Sequence, residues 1–270
     1  MTKTAIIAGA GALPGLLARR LTEAGEPFVL AELEGFPCEV PGVLPLRFRI
    51  ERLVPFLEHL AREGVGRLVL AGSVNRPKIE PEAFDARTAQ LVPMMLAAMR
   101  KGDDGALRAL IGIFEDWDFE VVGADAVAPD LVPGEGILAG DVRQDDWADA
   151  TRAAAIVARL GALDLGQGAV VAGGQCLGVE TLPGTDAMLT AVAAWRGTVG
   201  ERAGLLYKAP KPGQDRRADL PAIGPGTVQG AAAAGLRGIA WEAGGVIVLD
   251  RGATVAAAGR AGLFLWSRTP

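Results

Sequence analysis

The feature that most constrains this chain is the alternation of short apolar runs with amphipathic segments over its first 130 residues. Ala5-Ile6-Ile7-Ala8 reads as a buried strand, and the segment after it places Leu16, Leu17 and Leu21 on one helical face. Residues 28–31 and 67–71 are two further apolar runs. Between them lies a helix whose inward face is Ile50, Leu53, Val54, Leu57 and Leu60. A Met-rich helix is expected over 91–99. Asp103-Asp104 open another helix at its positive end, with Leu107, Leu110, Ile111 and Phe114 inward, before a strand at 119–122. Strands separated by helices pair in parallel, and a parallel sheet is covered on both faces. The first half therefore reads as a Rossmann-like α/β domain.

The stretch 126–140 is rich in proline and glycine (Pro129, Pro133, Gly134, Gly136, Gly140) and lacks periodicity, so it is expected to be a linker. The domains are placed at 1–132 and 133–270. A long helix with Trp147, Ala150, Ala154, Val157 and Leu160 at helical spacing opens the second. Short strands at 169–172, 176–180, 205–208, 238–240 and 246–249 follow, with helices near 186–195 and 227–234. That texture predicts a C-terminal α/β domain built on a mixed sheet.

Composition removes whole classes of chemistry. A net charge of -5 argues against nucleic acid, whose phosphates need lysine and arginine. The chain has one histidine, His59, on the polar side of its helix. Serine–histidine hydrolysis and multi-histidine zinc sites are thereby excluded. A participating metal would need carboxylate, carbonyl and phosphate ligands, which suits Mg²⁺ or Mn²⁺. Cys38 and Cys176 are read as reduced thiols. No secretory leader pattern opens the sequence, and no window approaches the roughly 20 apolar residues that span a bilayer. A cytoplasmic protein, at most peripheral on a membrane, is expected.

Two segments carry candidate chemistry. Gly9-x-Gly11, between a buried strand and a helix, is where backbone N–H groups and the helix N-terminus can meet a phosphate. Glu32 or Glu34, at the end of the second strand, is placed to meet ribose hydroxyls. Pro14 occupies the third glycine position of a dinucleotide fingerprint, so the loop does not specify NAD, and a plain strand–helix turn is the bland alternative. The second segment is residues 208–227, a loop by composition that is dense in charge of both signs. Lys208, Lys211, Arg216 and Arg217 can clamp a diphosphate, while Asp215 and Asp219 can hold a cation or orient water. Gly226 and Thr227 offer a helix N-terminus. The bland alternative is a solvated linker with local salt bridges. Nearby in sequence are Asp164, Gln167, Glu180 and the helix start Gly184-Thr185-Asp186, where Asp186 serves equally well as a capping acid.

Taken together, these segments resemble the LpxI type of UDP-2,3-diacylglucosamine pyrophosphatase, a family of lipid A biosynthesis in Gram-negative bacteria. The first-half pieces are Ile7-Ala8-Gly9-x-Gly11-x-Leu13-Pro14, Ala71-Gly72-x-Val74-x-Arg76-Pro77 and Lys101-Gly102-Asp103-Asp104. The second-half pieces are Asp164-x-Gly166-Gln167, Glu180-x-x-x-Gly184-Thr185-Asp186, Gln214-Asp215-Arg216-Arg217, Asp219-Leu220-Pro221 and Ala234-Gly235-Leu236. They run through almost the whole chain in the family's order.

The resemblance implies a homodimer, an active site between two domains, and dependence on Mg²⁺ or Mn²⁺. It implies hydrolysis of UDP-2,3-diacylglucosamine to UMP and 2,3-diacylglucosamine 1-phosphate (lipid X), by water attacking the phosphorus next to the sugar. Transient contact with the inner face of the inner membrane goes with such a substrate. An essential aspartate of the second domain is carried onto this chain as Asp215 or Asp219, and Glu180 joins them as a candidate metal ligand. The substrate-facing set is Gly9, Gly11, Ala12, Leu13, Pro14, Gly72, Arg76, Gln167, Gly184, Thr185, Asp186, Lys208, Lys211, Gln214, Arg216 and Thr227. Ser73 and Asn75 stand where the family pattern has lysines, which leaves Arg76 as the phosphate contact of that segment. The acyl chains need apolar surface, and the 91–99 helix and the alanine-rich helices are candidates, although core packing explains them equally. Two other readings stay open on residues alone. One is an NAD(P)-dependent oxidoreductase using the glycine loop, which lacks an evident Tyr–Lys pair or catalytic histidine. The other is a non-catalytic nucleotide-sugar or lipid binder.

Overall fold

The computed structural model describes residues 2–74, 78–99, 103–196 and 202–269. It divides into two compact units, Met1–Ala128 and Pro129–Pro270.

In the first unit the elements run β1 (Lys3–Ala8), α1 (Leu13–Glu23), β2 (Phe28–Leu33), β3 (Leu46–Phe48), α2 (Leu53–Arg62) and β4 (Val65–Ala71). Then come α3 (Val92–Met99), α4 (Asp103–Asp116), β5 (Glu120–Val122) and α5 (Ala124–Val127). The five strands form one sheet in the order β3-β2-β1-β4-β5, every pairing parallel. Strand–helix alternation accounts for the pairings of β1 with β2 and of β4 with β5, because a parallel neighbour can be reached only by a crossover, whereas β2 and β3 are joined by a loop without a helix. The central strand is buried on both faces: Ala5, Ile6 and Ile7 are all core residues. The expected inward face of α2 is confirmed by buried Leu53, Val54, Leu57 and Leu60, with Phe56 added, and His59 is half-buried beside it. Strand β3 was not anticipated, and it consists of only three residues.

The second unit holds β6 (Gly136–Ala139), α6 (Gln144–Ala162), β7 (Gly168–Ala172), β8 (Gln175–Val179), α7 (Gly184–Arg196) and β9 (Leu205–Lys208). It continues with β10 (Ala222–Ile223), α8 (Pro225–Ala233), β11 (Gly238–Glu242), β12 (Ile247–Val248), α9 (Arg251–Ala261) and β13 (Phe264–Arg268). Six strands form a mixed sheet in the order β6-β13-β11-β9-β7-β8. Strands β13, β11 and β9 are mutually parallel, whereas β6 and the β7–β8 hairpin run antiparallel to their neighbours. A short parallel pair, β10 and β12, stands apart. One face of the sheet packs Leu206, Ile239, Trp241 and Leu265 against α7 and α8 residues such as Leu189 and Val228. The other packs Tyr207, Ala240 and Trp266 against Ala150, Ala153 and Val157 of α6.

Three expectations are corrected. The stretch 126–140 is no structureless linker: Gly136–Ala139 pairs with β13 as an edge strand. Strand propensity at Ile137 and Leu138, plus an available partner, outweighs the local proline and glycine content. Trp147 does not face the core squarely, being 51% exposed while its ring lies 4.3 Å from that of Trp266. Helix α9 and strand β13 were unassigned from sequence. Asp250 caps α9 by accepting from the Ala253 N–H, and Gly262 ends it in the left-handed region.

Candidate active site

Parallel α/β sheets present ligands to loops at the carboxyl ends of their strands, and each unit has polar groups there. In the first unit the order reverses between β1 and β4, and the loops following those strands meet. The Gly9 N–H donates to the Ala71 carbonyl at 2.8 Å, while Ala10 and Ser73 exchange two backbone bonds of 2.9 Å. Glycine is required for this approach. A Cβ on Gly9 would sit 2.5 Å from the Ser73 carbonyl oxygen, and one on Gly72, with φ +88°, 2.5 Å from that of Ala10.

The N–H groups of Gly9 and Ala10 are thus committed to the neighbouring loop. Gly11, Ala12 and Leu13 remain as the donors at the start of α1, since Pro14 supplies none. Gly11 and Ala12 are exposed, as an anion site needs. Arg76 lies outside the described residues, as do Asn75, Lys101 and Gly102. Helix α3 buries none of its side chains, and Met94 and Leu96 are 44% and 50% exposed.

Glu32 is already occupied. Its carboxylate accepts from the Cys38 N–H at 2.8 Å and from Arg47 at 3.0 Å, and the Cys38 N–H, foremost, holds it below the usual carboxylate range. A ribose would have to displace both donors. Glu34 is exposed, 4.0 Å from Arg49. This occupancy weighs against the dinucleotide reading.

In the second unit the 209–221 loop leaves the carboxyl end of β9 and gathers most of the expected residues. Gln214, itself buried, organises one half. Its Oε1 accepts from Gln167 Nε2 at 2.7 Å and from the Lys211 N–H at 2.9 Å, and its Nε2 donates to the Asp219 carboxylate. Lys211 reaches Asp164 at 2.5 Å. Asp215 and Arg217 form a two-pronged pair, Nε to Oδ1 at 3.0 Å and Nη2 to Oδ2 at 2.7 Å. The Asp219 N–H donates to the Asp215 carbonyl at 3.3 Å, so both aspartates belong to one turn. Gly166 permits this packing: a Cβ there would fall 2.0 Å from the Glu180 carbonyl oxygen.

The other half is centred on Lys208, buried at the last position of β9. Its ammonium donates to Thr185 Oγ1 at 2.7 Å and lies 3.4 Å from Glu180, which itself accepts from Thr185 at 2.8 Å. Gly184 and Thr185 thus stand at the start of α7 beside a lysine, and Asp186 is exposed in the same turn. Thr227 is engaged locally, its hydroxyl accepting from the Gly224 N–H at 3.2 Å.

Among the described residues, no three His, Cys, Asp or Glu side chains gather as a metal-ligand set. Each of the three candidate carboxylates already has a partner: Glu180 serves Lys208 and Thr185, Asp215 serves Arg217, and Asp219 serves Gln214. Asp215 and Asp219 share one turn, so an ion held there would have to exchange with Arg217 and Gln214 and take its remaining ligands from phosphate and water, as Mg²⁺ commonly does.

Sequence reasoning missed Glu242, Tyr207 and Arg268. Glu242 ends β11 and pairs with Arg216 at 2.5 Å. Tyr207 is buried, and burial pushes its phenol up to about 12, so it stays protonated at neutral pH. A charged residue closing an apolar strand run, as in Trp241-Glu242 and Trp266-Ser267-Arg268, was the available signal.

No helix among the described residues is long and apolar enough to cross a membrane. The family model of the LpxI N-terminal domain matches residues 3–131, and that of the LpxI C-terminal domain matches 134–266. The UDP-2,3-diacylglucosamine pyrophosphatase LpxI of Caulobacter vibrioides is 41% identical over 280 residues, an alignment covering 100% of this chain and 99% of that protein. With both domains matched in order and the relative aligned end to end, the chain belongs to the LpxI family.

Proposed function

We propose that this protein hydrolyses the diphosphate of UDP-2,3-diacylglucosamine, releasing UMP and 2,3-diacylglucosamine 1-phosphate. The observation that carries the reading is the 41% identity, over the full length, to an enzyme of that name. The chemistry at the carboxyl end of β9 supports it. Lys208, Lys211 and Arg216 are cations within one loop system, suited to an anionic diphosphate. Asp215 and Asp219 are the carboxylates that would orient water and hold Mg²⁺ or Mn²⁺, in exchange for their contacts with Arg217 and Gln214. When bound, such an ion supplies positive charge against the diphosphate and polarises the attacked phosphoryl group.

The protein's own groups do the rest by alignment and electrostatics. The backbone donors at Gly11, Ala12 and Leu13 suit a phosphate of the nucleotide, and Gln214 fixes Gln167, Lys211 and Asp219 in one frame. Water attacks the phosphorus next to the sugar and UMP departs, a leaving group that needs no histidine to protonate it. The finer expectations of the family belong to the same proposal. They are a Rossmann-like first domain, for which the 3-2-1-4-5 parallel order speaks, a boundary at 132/133, a homodimer, and peripheral contact with the membrane that carries the substrate.

The test is UMP release from UDP-2,3-diacylglucosamine by purified protein, with and without chelator. Turnover that chelator abolishes and Mg²⁺ or Mn²⁺ restores is expected, and no UMP at any metal concentration would overturn the reading.

A further inference from the structure

Arg268 ends β13 and is 8% exposed, yet its Nε and Nη1 have no hydrogen-bond partner among the described residues. Its guanidinium carbon lies 5.2 Å from the Trp266 ring and 6.0 Å from that of Trp147. Indole faces attract a cation, but they leave a guanidinium's planar donors unfilled, and an unfilled buried donor is costly. The carboxylate placed to fill them is Glu242, the register partner of Arg268 on β11. Two residues back on each strand, Ala240 and Trp266 both pack in the layer beneath α6. Side chains alternate along a strand, so Glu242 and Arg268 share that face. Tyr207 lies on it too, and its phenol feels both charges, Glu242 raising and Arg268 lowering its pKa, each less than burial does.

Glu242 is taken, however, by Arg216 of the loop, whose side chain is 55% exposed against 18% for Glu242. An exposed ion pair contributes little and is readily surrendered. A buried guanidinium facing a carboxylate gains more from the same attraction, because the surrounding dielectric is lower.

We propose that Arg268 is a positioning residue for the reaction, which exchanges with Arg216 on Glu242 when the substrate diphosphate arrives. Arg216 leaves Glu242 for the phosphoryl oxygens, and Arg268 turns from the indoles to the vacated carboxylate. Neither the carboxylate nor the incoming phosphate is then left without a cation. This rests on the reading above, in which Arg216 meets the diphosphate.

The experiment is steady-state UMP release by the full chain, comparing Arg268→Met, Glu242→Gln and the double variant. Methionine fills the space beside the indoles without a buried charge, and thermal unfolding confirms that each variant is folded. Arg268→Met is expected to raise KM about tenfold with kcat within about threefold, because Glu242 then retains Arg216. Glu242→Gln alone, with nothing to retain Arg216, is expected to show a KM at or below that of the unsubstituted protein. The double variant should return to within about threefold of Glu242→Gln, whereas a merely structural Arg268 gives losses that add. Additive losses, an unchanged KM in Arg268→Met, or a tenfold KM rise in Glu242→Gln would each overturn the exchange. No UMP from the unsubstituted protein removes the hydrolase reading along with it, whereas turnover with additive losses removes the exchange alone.

Discussion

Lys208 shows how a buried charge becomes part of a site. Held against Thr185 and Glu180, it cannot be removed without leaving Glu180 largely buried and short of its cation. Lys208→Met is expected to lower stability by about 3 kcal/mol, the usual cost of breaking one partner out of a buried pair. It should also depress kcat/KM by at least about tenfold, read by urea unfolding and UMP release. Tyr207 makes a prediction about pH. Its folded pKa of about 12 lies above the ordinary phenol value. Its contribution to stability is therefore complete below that ordinary value and is lost as pH rises toward 12. Thermal unfolding between those limits should fall less steeply in Tyr207→Phe, and identical slopes would show that Tyr207 does not govern the alkaline limb. At this scale the sequence disclosed residue types but not pairings. Lys208, Gln214, Asp215 and Asp219 could be picked out because polar groups are conspicuous between apolar runs. That Arg217 would take Asp215 while Arg216 took Glu242 depends on which way the loop turns, and adjacent arginines carry no such information.

The elements place these residues, and a few glycines let the elements close. Gly166 and Gly72 each lie where a Cβ would strike a carbonyl oxygen, at 2.0 and 2.5 Å respectively. Gly166→Ala is expected to lose about 2–4 kcal/mol and to displace Gln167 from Gln214, lowering turnover. Gly72→Ala should lose a similar amount without touching the Gln214 frame, so its activity per folded molecule should survive better. The contrast is measured by kcat on folded protein. Strand–helix alternation made most of the first unit legible, because a buried parallel strand must be apolar throughout. The second unit was harder. Strand β6 hides among prolines and glycines, and β13 follows an alanine-rich helix whose two faces scarcely differ. Edge strand β6 exists because β13 offers it a partner more than 120 residues away, which no local window contains.

At the scale of the whole molecule, each sheet among the described residues is completed within its own unit, and no described strand of one enters the sheet of the other. Residues 1–132 and 133–270 produced separately are therefore expected to fold, each with a cooperative thermal transition. UMP release by each piece, measured beside the full chain, tells whether the charged loop after β9 suffices for hydrolysis. Turnover by 133–270 alone would show that the glycine loop is dispensable. The turn holding Asp215 and Asp219 is proposed to carry hydrolysis of UDP-2,3-diacylglucosamine. The most direct measurement is UMP release by Asp215→Ala and Asp219→Ala beside the unsubstituted protein, with substrate binding measured in parallel. At least one variant is expected to lose turnover by about 100-fold or more while still binding substrate. Wild-type turnover in both variants would contradict it.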